Sequence, residues 1–187
     1  MDYSYCYSNA RRRYYDACSE ITSCQNRIND LKNQRQQKIN QINQLKTDIK
    51  NHEEAYEGVS QIIKSEENVN SKISDISNKT NQASSNYSSM VSSSNVINKI
   101  LNDVYNNEMT STKRTVSNIF EKLKTKKNEL NAKIIDLKKQ LKQAEEDLVN
   151  INNRIASTES SLQDWKRAKT NAAYDMEYYR RKMNEAV

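Results

Sequence analysis

Proline is absent from the 187 residues, and glycine occurs once, at Gly58. A sheet protein needs turns, and this chain has almost none of the proline and glycine that make them, so a helical rod is expected rather than a β architecture. One glycine also rules out the glycine-rich loops that cradle phosphates and the G-x-S-x-G elbow that presents a nucleophile. Long apolar runs are missing too. Nothing approaches the ~20 apolar residues that span a bilayer, and the N-terminus lacks the apolar core of a signal peptide. The expectation is a cytoplasmic protein without a membrane span, extracellular only by co-export along a route that needs no cleaved signal.

Cysteine is scarce and odd in number: Cys6, Cys18 and Cys24, with no C-x-x-C pair and with His52 as the sole histidine. That pattern matches neither a zinc site nor a redox pair, and no metal or cofactor is expected. Cys24 falls on an apolar stripe, where a free thiol acts as a small hydrophobe. Catalytic groups must converge in a pocket, which a thin helical chain does not provide. His52 reads as a polar layer on the seam. The pairs Glu53 and Glu54, and Glu145 and Glu146, read as helix-surface charge. An enzyme is not expected, and no catalytic residue is assigned.

What is present is periodicity. From Val116 to Ala186 apolar residues step alternately by four and three, through Phe120, Leu123, Leu130, Ile134, Leu137, Leu141, Ala144, Leu148, Ile151 and onward to Met183. Only Lys127, Thr158 and Lys169 interrupt the stripe. A mean spacing of 3.5 keeps one narrow face toward a partner helix, the condition for a left-handed coiled coil. A second stripe runs from Tyr3 to Ile63 in two rows. One row holds Tyr7, Tyr14, Ile21, Ile28, Ile42, Ile49 and Tyr56; the other holds Ala10, Ala17, Cys24, Leu31, Leu45 and Val59. Arg35, Lys38 and His52 are its exceptions. Near residues 65–68 the apolar spacing slips to threes, which reads as a stammer that overwinds the coil locally or marks a kink. Beyond it the stripe is expected through Ile73, Ile76, Thr80, Ala83, Tyr87, Met90, Ser94, Ile97, Leu101 and Val104.

Seven serines crowd the twelve residues 84–95, and serine competes for helix backbone hydrogen bonds. A second soft spot spans 106–112, after which Ser111 or Thr112 could cap a helix. Folding the chain near residue 93 gathers eight of the eleven tyrosines at one end. The same fold brings Arg35 and Lys38 near Glu145, Glu146 and Asp147, and Lys169 near Asp16 and Glu20. Opposite charges flanking a seam fix its register. The expected fold is all-α: a long antiparallel two-helix hairpin, with arm 3–83, a serine-rich turn region 84–95 and arm 96–186. A short third helix folded back at the tip is the alternative.

Charge is modest, at +6, and densest between Lys113 and Lys142, where ten basic residues face Glu121, Glu129 and Asp136. Most of it reads as a solvated face. Function is expected at the aromatic end. Tyr5, Tyr15, Tyr174 and Tyr178 lie off the stripes, beside Arg11, Arg12 and Arg181. Tyrosine with arginine is the composition enriched where proteins bind proteins. These seven are the candidate partner-binding residues. Basic residues among aromatics can also hold nucleic acid, but the clusters are short and diluted by Asp16, Glu20, Asp175, Glu177 and Glu185.

A long Asn/Lys-rich helical hairpin without proline, with serine-rich slack at its tip, resembles the small helical accessory proteins of Gram-positive type VII secretion. These are related in shape to the WXG-motif family. The resemblance implies a targeting chaperone for the helical domain of an LXG toxin, or a partner for a second small helical protein. Trp165 is followed by Lys166 and Arg167, and no tyrosine has Asp or Glu four residues on. The family's export signal would then come from another chain. The alternative function is a coiled-coil scaffold or spacer that homodimerises.

Overall fold

The computed structural model describes residues 2–90 and 95–185, and these form three helices: α1 (Tyr3–Lys64), α2 (Glu66–Met90) and α3 (Asn95–Glu185). The helical reading holds. Asp2 caps α1: its carboxylate accepts the Tyr5 N–H at 3.1 Å and its carbonyl accepts the Cys6 N–H at 3.2 Å. This satisfies donors that the first turn would leave open. Among the described residues no helix is long and apolar enough to cross a membrane.

Contacts divide the chain into two compact units, residues 1–46 with 139–187, and residues 47–138. In the first unit the predicted rows of α1 face the predicted stripe of α3. Ala10, Ala17, Ile28, Leu31, Ile42 and Leu45 are buried, as are Ala144, Ile151, Ile155 and Ala172. Leu31 packs with Ile151 and Ile155 at the centre, with 1% of its surface exposed. Ion pairs cross the seam in inverse order. Arg13 meets Asp175 at 2.8 Å, Lys32 meets Glu159 at 3.9 Å, Lys38 meets Asp147 at 3.1 Å and Lys46 meets Glu145 at 3.6 Å. Rising numbers in α1 thus meet falling numbers in α3, the order of a hairpin's two arms.

In the second unit Ile49, Phe120, Ile134 and Leu137 are buried, and Glu53 pairs with Lys138 at 2.7 Å. Here the expected seam is corrected. At Ser65 the helix tightens for one residue, its N–H and its hydroxyl both donating to the Ile62 carbonyl, at 3.0 and 2.6 Å. Beyond it the partly buried positions are Glu66, Val69, Ile73, Ser77, Thr80 and Ser84, while Ile76, Ala83 and Tyr87 are exposed. The seam keeps the register of Ile63, apart from Val69 standing in for Asn70. The tightening is confined to Ser65 and the later positions keep the earlier register, so the packed face receives serines and Ile76 is left outside. In α3 the same happens at Val104, which is exposed, while Tyr105 turns inward.

Other expectations change with this. Helix continues from Ser84 to Met90 and begins again at Asn95, so most of the proposed turn region is helical, and residues 91–94 lie outside the described residues. Residues 106–112 are helical throughout, and neither Ser111 nor Thr112 caps anything. A folded-back third helix is absent among the described residues, since α2 continues alongside α3, where Glu66 meets Lys124 at 3.1 Å. Ser60, on neither predicted row, is buried, and its hydroxyl has no partner among the described residues. Gly58 has nothing within 4 Å of where a Cβ would stand, and its backbone is ordinary helix.

Candidate partner-binding surface

Most polar residues on the predicted seam have a specific partner. Lys169 Nζ sits 5.3 Å from the centroid of the Tyr14 ring, and Lys127 Nζ sits 5.1 Å from that of Tyr56. A cation over the face of an aromatic ring is attracted by the ring's quadrupole, so each seam lysine is held without a carboxylate. Lys169 was expected beside Asp16 and Glu20; the tyrosine takes that role. Thr158 donates to the Arg154 carbonyl at 2.7 Å, and His52 Nδ1 donates to the Asp48 carbonyl at 2.7 Å. Lys38 has Asp147, whose carboxyl is held below its ordinary range by hydrogen bonds, first from Gln143 and then from Lys38. Arg35 is exposed and carries no ion pair among the described residues, contrary to expectation.

The end of the first unit that holds both helix termini is tied by Arg13 and Asp175. Around this tie Tyr3, Tyr7, Tyr14 and Tyr179 are partly buried in the seam. Tyr5, Tyr15, Tyr174 and Tyr178 stand outside it, between 54% exposed at Tyr178 and 72% at Tyr174. The Arg11 guanidinium lies 5.7 Å from the Tyr15 ring centroid, and Tyr15 meets Tyr14 edge-on at 5.7 Å. Tyr178 meets Tyr179 in the same manner at 5.2 Å. Outward and seam tyrosines are thus coupled in pairs on each helix, which holds the exposed rings at set angles. Among the described residues Tyr5 and Tyr174 stack on no other ring.

No known family model, curated protein or solved structure matches the chain. What this end can do therefore rests on its own chemistry.

Arg181 Nε donates to Glu177 Oε1 at 3.2 Å, and Arg180 reaches Glu177 Oε2 at 3.0 Å. These two arginines hold the Glu177 carboxyl below its usual range, the Arg181 hydrogen bond first. Lys182 is pushed up by its hydrogen bond to Glu185 and by the charge of that carboxylate. Arg12 differs from its neighbours. It lines a cleft of about 360 Å³ with Cys6, Asn9, Arg13 and Tyr179, and no carboxylate pairs with it among the described residues. The three cysteines are free and all partly buried, Cys24 less deeply than its seam position implied. Sequence reasoning missed Arg13 and Asp175 as the clamp of this end. The available signal was that both precede a seam position, Tyr14 and Met176, on facing helices.

Proposed function

We propose that the chain is an antiparallel coiled-coil hairpin that works as a helical protein-binding module, with the aromatic end as its docking surface. One observation carries this reading: four tyrosines stand more than half exposed around a clamped helix pair, with Arg11 stacked on one and Arg12 unpaired beside them. Tyrosine gives large contact area at small entropic loss, arginine adds directional hydrogen bonds, and both are enriched among the residues that dominate the energetics of protein interfaces. The occupant that fits is a helix or helical domain laying an apolar stripe across the rings. The resemblance to type VII secretion accessory proteins makes the helical domain of a secreted toxin the first such partner to test, with the chain acting as its targeting chaperone.

Site-specific photo-crosslinking tests the surface directly. A photoreactive phenylalanine at Tyr15 or Tyr178 should capture one discrete helical protein in the cells that make this chain, while the same group at Gln36 captures none. Equal capture at all three positions, or capture of another copy of the chain alone, would leave a self-associating scaffold as the reading.

A further inference from the structure

We infer that a second cleft in the first unit, between Arg27 of α1 and Arg154 of α3, is a binding site for a compact oxyanion of the phosphate type. The cleft encloses about 290 Å³, and its lining includes Ser23, Ser157, Trp165 and Glu20 beside the two arginines. Elsewhere in this unit Arg13, Lys32, Lys38 and Lys46 each meet a carboxylate across the seam. Here two cations share one cleft instead, and neither has a carboxylate partner among the described residues. Like charges sharing a partly enclosed space repel, and an anion between them converts that repulsion into two attractions.

The donors suit such an anion. Each guanidinium offers a planar fork of N–H groups that grips two oxygens at once. The hydroxyls of Ser23 and Ser157 are not drawn into any hydrogen bond among the described residues, and the indole of Trp165 can only donate. Thr158 forms the buried floor, its hydroxyl already spent on the Arg154 carbonyl. Glu20 is the one carboxylate in the lining, and it sets a limit on affinity. A tetrahedral oxyanion with several acceptor oxygens uses two forks and two hydroxyls together, where a single carboxylate uses fewer. This site stands apart from the tyrosines, so it holds or fails independently of the proposed docking surface.

Trp165 is the only tryptophan, which makes its emission a reporter of the cleft. The full chain is titrated with potassium phosphate and, separately, with O-phosphoserine, each against potassium chloride at matched ionic strength. The expected result is a saturable change in emission with either oxyanion and none with chloride. Arg27→Gln and Arg154→Gln should each raise the midpoint by about tenfold, since each removes one charge-assisted fork. Glu20→Gln should lower it. Equal midpoints for the two probes assign a site for the free oxyanion, and a lower midpoint for O-phosphoserine assigns one for the group carried on a side chain. A phosphate-specific rise in melting temperature, lost in both arginine variants, gives a second readout. A response equal to that of chloride, or one unchanged in the arginine variants, overturns the site.

Discussion

Lys169 of α3 places its ammonium 5.3 Å from the ring centroid of Tyr14 in α1, on a mostly apolar seam. The pair turns an unfavourable seam residue into a register mark, because a one-heptad slip that brings Ile21 to the place of Tyr14 would leave the cation facing aliphatic carbon. A double-mutant cycle with Tyr14→Leu and Lys169→Met should show a coupling of about 0.5–1 kcal/mol in urea unfolding. Independent effects that simply add would contradict the contact.

Leu31 and Ile76 separate the buried seam from the apolar residues left outside it. Leu31→Ala should destabilise by about 2–4 kcal/mol, because it opens a cavity against Ile151 and Ile155. Ile76→Ala should change stability by no more than about 0.5 kcal/mol, since that side chain is 54% exposed. Ser77→Leu, on the packed face, should stabilise by about 1 kcal/mol. Reversed effects at 76 and 77 in denaturant titrations would mean that α2 is rotated to the register its apolar residues suggest.

Gly58 and Ser60 are sites where the native residue is not the best one for stability. A methyl group at Gly58 meets open space in ordinary helix, so Gly58→Ala should stabilise by roughly 1 kcal/mol. Ser60→Ala removes a buried hydroxyl with no partner among the described residues and should be neutral or stabilising. Thermal unfolding by circular dichroism reads both.

Asp147 and Glu177 give a pH dependence of definite sign. Both carboxyls are held below their ordinary range in the folded chain, by Gln143 and Lys38 in one case and by Arg181 and Arg180 in the other. A depressed folded pKa adds stability that is present above the unfolded value, near 4, and is lost as pH falls through the folded value. Melting temperature should therefore fall with acidification below about pH 4, and Asp147→Asn should make that fall shallower. An unchanged slope in Asp147→Asn would remove the Lys38 pair from the account.

Much of the fold was legible because a coiled-coil seam writes its geometry into spacing. Among the described residues every position of the α3 stripe from Val116 to Met183 is buried or partly buried, except Trp165. The pairing of Lys38 with Asp147 was legible from charge on opposite arms. Where the seam weakens, the spacing stops being decisive. Ile76 and Ser77 each continue a plausible stripe, and hydrophobicity favours Ile76, but the positions after the tightened residue Ser65 keep the earlier register, which places Ser77 on the packed face. The cation–π layers were hidden for another reason. A lysine on a seam looks like a charge in search of a carboxylate, and the ring that holds it looks like packing. At the aromatic end, the outward placement of Tyr5, Tyr15, Tyr174 and Tyr178 follows from their positions off the stripes. The edge-on pairing that fixes Tyr15 and Tyr178 depends on side-chain angles that no periodicity encodes.

The docking role of the aromatic end is tested most directly by isolating the tagged chain from its own cells at moderate salt and identifying co-purifying chains by mass spectrometry. The comparison is between the native chain and a Tyr15→Ser, Tyr178→Ser variant whose helicity and melting temperature match it, as expected for exposed positions. The account predicts a stoichiometric helical partner with the native chain and its loss with the variant. A partner retained in full by the variant, or recovery of the native chain only as a self-associated species, would contradict it.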